Sequence, residues 1–174
     1  MIIDLRKEPN KRPRFVFNEE TKNILLIGST MDSVNLWGLT ALKQLQLSSH
    51  TSAVYAVNFF PPSTEEDPLY GGRKKYIKRL RKLLKMVQTE TEEERRRTYI
   101  FIFGADMIKM TDKGSEEIYA LAKLGSEGHL HVVAITIGPL YTELTKLFED
   151  HVIPGSKKET AESKKKETKP HGRF

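Results

Sequence analysis

The sequence predicts an α/β protein with a mainly parallel sheet that is flanked by helices. Four short runs rich in β-branched and aromatic residues recur along the chain. They are continuously apolar rather than alternating, which is typical of strands that are covered on both faces. The runs are Ile24 to Ile27, Ala53 to Phe60, Tyr99 to Phe103 and Leu130 to Ile137. Segments with helical spacing lie between them, and such an alternation of strands and helices indicates parallel strands.

Three helices are predicted from their apolar faces. The first follows the Ile24 to Ile27 strand and has Asp32 or Ser33 as its N-cap. Its apolar face consists of Val34, Trp37, Ala41, Leu42 and Leu45. The face of the second consists of Tyr76, Ile77, Leu80, Leu83, Leu84 and Val87. The third begins near Ser115, and Gly125 or Gly128 can close it. Its face consists of Ile118, Leu121, Ala122 and Leu124.

The remaining segments are less regular. A last short helix is predicted from Thr142 to about His151, and the opening runs IIDL and RFVF are expected to form a small hairpin or edge strands. Residues 61–72 are expected to form a loop. The near absence of apolar residues predicts disorder for residues 156–171. The chain is therefore interpreted as one domain, residues 1–155, with a polar basic tail at residues 156–174.

Composition excludes several classes of protein. There are 174 residues and no cysteine, so disulfides and thiolate metal sites are ruled out, and five scattered histidines offer no convincing metal ligand set. No stretch reaches the roughly 20 apolar residues of a membrane span, and the N-terminus lacks a signal-peptide core. A soluble, cytosolic setting is expected. The net charge of +6 owes +4 to the last 20 residues, which carry seven Lys/Arg and three Glu, so the overall charge says little about nucleic acid.

The first strand-to-helix junction resembles a phosphate-binding loop with its chemistry replaced. A working loop has the pattern G-x-x-x-x-G-K-[ST]. Here the positions are filled by Gly28, Ser29, Thr30, Met31, Asp32, Ser33, Val34 and Asn35. Ser33 replaces the second glycine, Val34 the lysine and Asn35 the hydroxyl residue, while Asp32 adds a negative charge. On this stretch alone, an ordinary strand-to-helix turn with an Asp or Ser cap is the favoured explanation.

The stretch YIFIFGADMIKMTDKGSEEIYALAKLGSEGHLHVVAITIGP, residues 99 to 139, resembles the FtsK/SpoIIIE family of RecA-like motor ATPases. Residues 121–125 are similar to the family's Leu-Ala-x-x-Gly-Arg helix end, and residues 130–133 to its Gly-Ile-His-Leu strand. Thr136 and Pro139 keep their places in its Ala-Thr-Gln-Arg-Pro turn. The ending KPHGRF resembles the Pro-x-Gly-Arg-Gly stretch of many members. Together with the loop, the resemblance covers roughly residues 15 to 174 and implies a RecA-like, P-loop-type sheet.

The same resemblance implies that catalysis has been lost. Gly104 and Ala105 stand where the family's Asp-Glu pair would bind Mg²⁺ and orient water, and Asp106 matches its second, non-catalytic acid. Ile137 and Gly138 replace the Gln-Arg pair that senses the γ-phosphate. Phosphoryl transfer depends on positioning and on charge stabilisation. The resemblance therefore implies a pseudo-ATPase that binds neither ATP nor magnesium.

Within this family, the chain is most similar to the C-terminal, third ATPase module of the type VII secretion coupling proteins EssC and EccC. That similarity implies a cytoplasmic domain of a membrane-anchored protein. Its partners would be protein substrates or other ATPase modules of the same secretion motor. The alternative is a DNA-binding or DNA-translocase accessory domain of the same family. A third hypothesis is an enzyme with an unfamiliar site.

The segment GGRKKYIKRLRKLLK, residues 71 to 85, has eight Lys/Arg and no acid. The candidate contact surface consists of Arg73, Lys74, Lys75, Lys78, Arg79, Arg81 and Lys82. It can be read as the solvated or protein-contacting face of an amphipathic helix, as a contact with nucleic-acid phosphates, or as a contact with an anionic membrane. No aromatic platform for bases is evident in the segment, which counts against nucleic acid. Trp37, Phe59 and Phe60 are interpreted as core residues, with a partner surface as the alternative.

Overall fold

Five parallel strands form a single sheet in the computed structural model, which describes residues 23–47, 53–61 and 72–152. The strands are β1 (Asn23–Ile27), β2 (Ala53–Asn58), β3 (Thr98–Phe103), β4 (His131–Thr136) and β5 (Glu149–Val152). Their order across the sheet is β2-β3-β4-β1-β5, and every neighbouring pair is parallel. The predicted parallel α/β class is confirmed, and the arrangement is consistent with a RecA-like fold.

Helices cover the sheet unequally on its two faces. They are α1 (Met31–Gln46), α2 (Gly72–Thr89), α3 (Glu92–Arg96), α4 (Ser115–Ser126) and α5 (Thr142–Thr145). The buried residues of α1 form one apolar cluster with one face of β1, β3 and β4. Those of α2, α4 and α5 form a second cluster on the opposite face. The continuous apolar runs are explained by this sandwich, since all six residues of β3 and all six of β4 are buried.

Asn23 joins three elements at the amino edge of the sheet. Its side chain is buried, with Nδ2 donating to the Ala122 carbonyl at 2.6 Å and to the Leu147 carbonyl at 2.9 Å. Its Oδ1 accepts the Val132 N–H at 3.2 Å. A side chain at Gly125 would collide with the Asn23 amide, so glycine is needed in α4 at this position. A buried amide is stable only when its polar atoms have partners, and Asn23 therefore fixes α4 against β1.

The structure corrects the prediction for the end of the domain. The helix predicted from Thr142 to about His151 is wrong, because α5 ends at Thr145 and Glu149–Val152 forms β5. This strand pairs with the other side of β1, so backbone pairing at an edge overrides a polar sequence.

Two helix details also differ from the sequence analysis. The N-cap of α1 is Thr30, not Asp32 or Ser33, because the Thr30 hydroxyl accepts the Ser33 N–H. The short helix α3 was not predicted, and a capping box between Thr91 and Glu94 begins it.

Several predictions concern residues outside the described ranges. The IIDL and RFVF runs, residues 62–71 of the predicted loop and the tail at residues 156–174 all lie there. Within the described ranges, no helix has both the length and the apolar content needed to cross a bilayer.

Candidate functional site

The candidate nucleotide-site residues lie at the carboxyl edge of the sheet, where β1 and β4 are neighbours. The chain leaves β1 toward α1 on one face, and it leaves β4 toward α5 on the other. Such a point, at which successive connections diverge, opens a crevice that parallel α/β proteins use for ligands. The residues predicted from the loop and from the β4 end therefore do come together.

The connection from β1 to α1 is a tight turn and not a wide loop. Only Gly28, Ser29 and Thr30 separate the two elements. The Gly28 N–H donates to the Thr136 carbonyl at 3.1 Å, and the Val34 N–H donates to the Thr30 carbonyl at 3.1 Å. A phosphate cradle needs several backbone N–H groups that point inward together. Here those of Gly28, Ser33 and Val34 already bind oxygen atoms of the protein.

Side chains at the turn give no positive charge to a phosphate. Val34, at the position of the lysine, is fully buried and packs in the α1 cluster. Asp32 is exposed in the first turn of α1, where its charge suits the helix dipole but opposes an anion. Met31 is partly buried against the same cluster, and Asn35 is also partly buried.

Gly104 and Ala105 follow β3 and occupy the positions of the acidic pair. Gly104 has a φ of 72°, and its N–H donates to the Ile135 carbonyl at 2.7 Å. A Cβ at this position would lie 2.7 Å from the backbone nitrogen of Phe60, so a side chain is excluded on two grounds. Ala105 is buried in the core. The backbone here thus serves packing between strands β2, β3 and β4.

Asp106 is the buried acid of this edge. Its Oδ2 accepts the Gly138 N–H at 3.0 Å, which ties the turn after β3 to the turn after β4. Within the described part of the chain, its Oδ1 and the hydroxyl of the buried Thr136 have no hydrogen-bond partner. Burial raises the pKa of the Asp106 carboxyl, although backbone N–H groups and the Lys109 charge act in the opposite direction. Ile137 and Gly138 are partly buried, and Ile137 packs against the α1 cluster.

The acids near Asp106 do not gather around a metal. Asp112 accepts the Lys109 N–H at 2.8 Å and pairs with Arg73 at 3.0 Å, so it organises the turn before α4. Among the described residues, no group of three His, Asp or Glu side chains could hold a metal ion.

The cations of α2 are exposed, and two of them have acidic partners. Arg73 donates to the Met107 carbonyl at 2.7 Å and pairs with Asp112, while Arg81 pairs with Glu117 at 2.7 Å. Both contacts lie on the side of α2 that faces α4. Within residues 23–47, 53–61 and 72–152, the other α2 cations have no ion-pair partner. These are Lys74, Lys75, Lys78, Arg79, Lys82 and Lys85.

A pocket that the sequence analysis missed lies beside the start of α2. It has a volume of about 320 Å³ and is lined by Asn58, Phe59, Phe60, Pro61, Arg73, Tyr76 and Met107. The Phe59 and Tyr76 rings meet edge to face with their centroids 6.0 Å apart. Phe60 is buried, and Trp37 and Phe59 are partly buried against the two core clusters, which agrees with the interpretation of all three as core residues. The sequence shows two aromatic residues at a strand end and a third in the second turn of the next helix, but it gives no sign that they meet.

Comparisons with protein-family models, with curated proteins and with solved structures gave no match.

Proposed function

We propose that this chain is a RecA-like domain that has lost ATP hydrolysis and ATP binding and that acts as a protein-interaction module. The observation that carries the proposal is the β1–α1 turn. It is three residues long, its Gly28 N–H is bonded to β4, and Val34 is buried where a lysine would reach a phosphate. The Gly28, Ser33 and Val34 N–H groups already have acceptors, and the turn supplies no cation for a triphosphate.

The rest of the edge supports the same proposal. Gly104 and Ala105 offer no carboxylate for Mg²⁺, and the Gly138 N–H is occupied by Asp106. A lost lysine contact alone removes about 1.5–3 kcal/mol of charge-assisted hydrogen bonding. The Asp32 charge would further oppose a bound phosphate.

The direct test is a titration with Mg-ATP, followed by the melting temperature and by phosphate release. We expect no saturable stabilisation at up to millimolar nucleotide and no hydrolysis above the buffer rate. Binding at 100 times Kd would add about 2.7 kcal/mol to the free energy of unfolding, which a melting experiment detects readily. A Val34→Lys variant, tested in parallel for folding, is expected not to restore binding, since the turn stays closed.

The partner follows from the family resemblance and is part of the proposal. We place the domain in the cytoplasmic portion of a membrane-anchored type VII secretion motor, where it binds protein substrates or neighbouring ATPase modules. Calorimetric titration with a helical-hairpin secretion substrate, or with its C-terminal tail as a peptide, tests this role. Saturable binding that is independent of nucleotide is expected. Binding that appears only with ATP contradicts a module that has lost its nucleotide site.

A second candidate function is nucleic-acid binding, and the α2 surface favours it. Six cations on one exposed helix have no acidic partner in the described part of the chain, whereas Arg73 and Arg81 do. Unpaired cations are available to replace the counterions of a phosphate backbone, which makes affinity fall steeply with salt. Binding of a labelled oligonucleotide that weakens linearly with the logarithm of salt concentration supports this candidate.

A further inference from the structure

We infer that α2 binds single-stranded nucleic acid along one flank and holds one base in the pocket that Phe59 and Tyr76 help to line. The inference rests on the second candidate function and adds to it the strandedness of the ligand and a site for a base. The flank, called here the open flank of α2, consists of Lys75, Arg79 and Lys82.

The position of the open flank follows from helix geometry. A helix turns by about 100° per residue, which places Lys75, Arg79 and Lys82 within about 60° of one another. Ile77, Leu80, Leu83 and Val87 are buried and face the sheet. Arg73 and Arg81 bond to Asp112 and Glu117, which fixes the side of α2 that faces α4.

The pocket adjoins the open flank directly. Tyr76 follows Lys75 and precedes Arg79 by three residues, so its ring and the Arg79 side chain are neighbours on the helix surface. Phe59 and Asn58 reach the same place from β2, which is the edge strand of the described sheet. A chain that runs along the flank therefore meets the pocket at the N-terminal end of α2.

The pocket has the chemistry of a base site. Phe59 and Tyr76 provide aromatic surface, which corrects the expectation from the sequence that the basic segment has no aromatic platform. Proteins bind unpaired bases by stacking them on such rings. Asn58 Oδ1 accepts the Phe60 N–H at 3.0 Å, which orients the amide and leaves its Nδ2 group to donate to a base edge. Arg73 is held by the Met107 carbonyl and by Asp112. The volume of about 320 Å³ is at the lower end for ligand pockets and suits one base.

Other partners of a cationic helix fit less well. A helix that lies on an anionic membrane inserts an exposed apolar face. The exposed large hydrophobic residues of the described chain are Leu36, Leu39, Leu47, Met110 and Tyr119. None of them belongs to α2. A paired base cannot enter the pocket without leaving its duplex, so single strands are preferred over double strands.

The test measures fluorescence anisotropy of the full chain with a labelled 12-nucleotide single strand and with its duplex. The variants Tyr76→Leu and Phe59→Leu keep apolar volume against the core and remove a ring, and Tyr119→Leu on α4 is the matched control. Stacking of one base predicts a loss of about fivefold or more in affinity for the two pocket variants and none for the control. Tyr76→Phe, which keeps the ring, should bind as the wild type does.

The cations are tested by a charge-matched pair of triple variants. Lys75, Arg79 and Lys82 become Gln in one protein, and the exposed Lys113, Lys123 and Lys146 become Gln in the other. Each lost phosphate contact lowers the slope of log affinity against log salt by about 0.7 for a single strand. We expect the flank variant to lose about two units of slope and the control to keep its slope. A 5-iodouridine strand should crosslink to Phe59 or Tyr76.

The possible outcomes distinguish a failure of the base site from a failure of nucleic-acid binding itself. If the single strand binds through the flank but Tyr76→Leu and Tyr119→Leu behave alike, the base site is wrong and the second candidate function stands. Equal affinity for the duplex also overturns the base site. No binding at low salt overturns both. Polyglutamate that competes as well as the unlabelled strand shows a general site for acidic chains and overturns the inference.

Discussion

At the scale of single residues, Asp106 links the two turns of the carboxyl edge. One carboxylate oxygen accepts the Gly138 N–H, while the other is buried and has no partner among the described residues. A buried charge that leaves an oxygen without a partner is costly. The carboxyl is therefore more stable in its protonated form here than in water, which agrees with its raised pKa.

We predict that Asp106 makes the protein less stable as the pH rises. Because the folded pKa is raised above the unfolded value, the folded state binds more protons between these two values. The contribution of Asp106 to the free energy of unfolding must then fall with pH across that window. Asp106→Asn keeps an oxygen for the Gly138 N–H and cannot ionise. The unfolding free energy of this variant should therefore fall less with rising pH than that of the wild type. Urea unfolding at several pH values from 3.5 to 7 measures it.

A second variant separates the charge from the hydrogen bond. Asp106→Ala leaves the Gly138 N–H without its acceptor and should cost about 1–3 kcal/mol of unfolding free energy at neutral pH. Asp106→Asn should cost less than this. The account fails if the wild-type protein and Asp106→Asn have the same dependence on pH.

At the scale of elements, α1 packs closely against the sheet at Gly38. Within the described ranges, α1 is the helix that covers this face of the sheet, and Gly38 lies where the two meet. A Cβ at Gly38 would lie 2.5 Å from Ile135 Cδ1 and 2.6 Å from Phe103 Cε1. Both neighbours are buried, with exposed fractions of 0% and 4%, so neither has space to move. The glycine therefore serves packing and not a turn.

Gly38→Ala tests this packing. Two effects of the change on the unfolding free energy have opposite sign, so the direction of the measured change shows which one dominates. Alanine favours a helix interior over glycine by about 1 kcal/mol. Overpacking of a filled core costs about 1–3 kcal/mol. We expect the clash to dominate and the unfolding free energy, measured by urea denaturation, to fall. The control Leu36→Ala changes an exposed position of α1 and should alter stability by less than about 0.5 kcal/mol. A stabilised Gly38→Ala protein would show that α1 can move away from β3 and β4.

Elements with a strong local signal could be predicted from the sequence, and others could not. β1, β3 and β4 are apolar except at their end residues because both faces are covered, so composition alone indicates them. β5 reads EDHV and forms only because β1 offers an unpaired edge, which is a tertiary cause. Thr30 replaced the predicted caps because the turn is shorter than a phosphate loop.

At the scale of the whole molecule, the carboxyl edge shows what sequence spacing can and cannot give. The resemblance placed Gly28, Gly104 and Gly138 at one site, and the fold does bring their turns together through bonds to β4 and Asp106. The pocket joins Asn58 and Phe59 to Tyr76, which are separated by a helix start and an undescribed stretch. No local pattern reports such a contact, since it depends on where α2 lies over the edge strand.

The order of the strands predicts how stability is distributed over the sheet. β3 and β4 have a strand on each side and a helix layer on each face, whereas β2 and β5 are edges of the described sheet and β2 is largely half-buried. Amide hydrogens exchange through local opening where few apolar contacts hold a segment. Where many contacts hold it, they exchange only through global unfolding. We expect hydrogen exchange, followed by mass spectrometry, to be slowest in Tyr99–Phe103 and Val132–Ile135, at the rate of global unfolding. Peptides from β2 and β5 should exchange earlier, through openings that leave the centre intact. Exchange of β5 as slow as that of β4 would contradict this prediction, because it would mean that the β5 edge is held as firmly as the centre of the sheet.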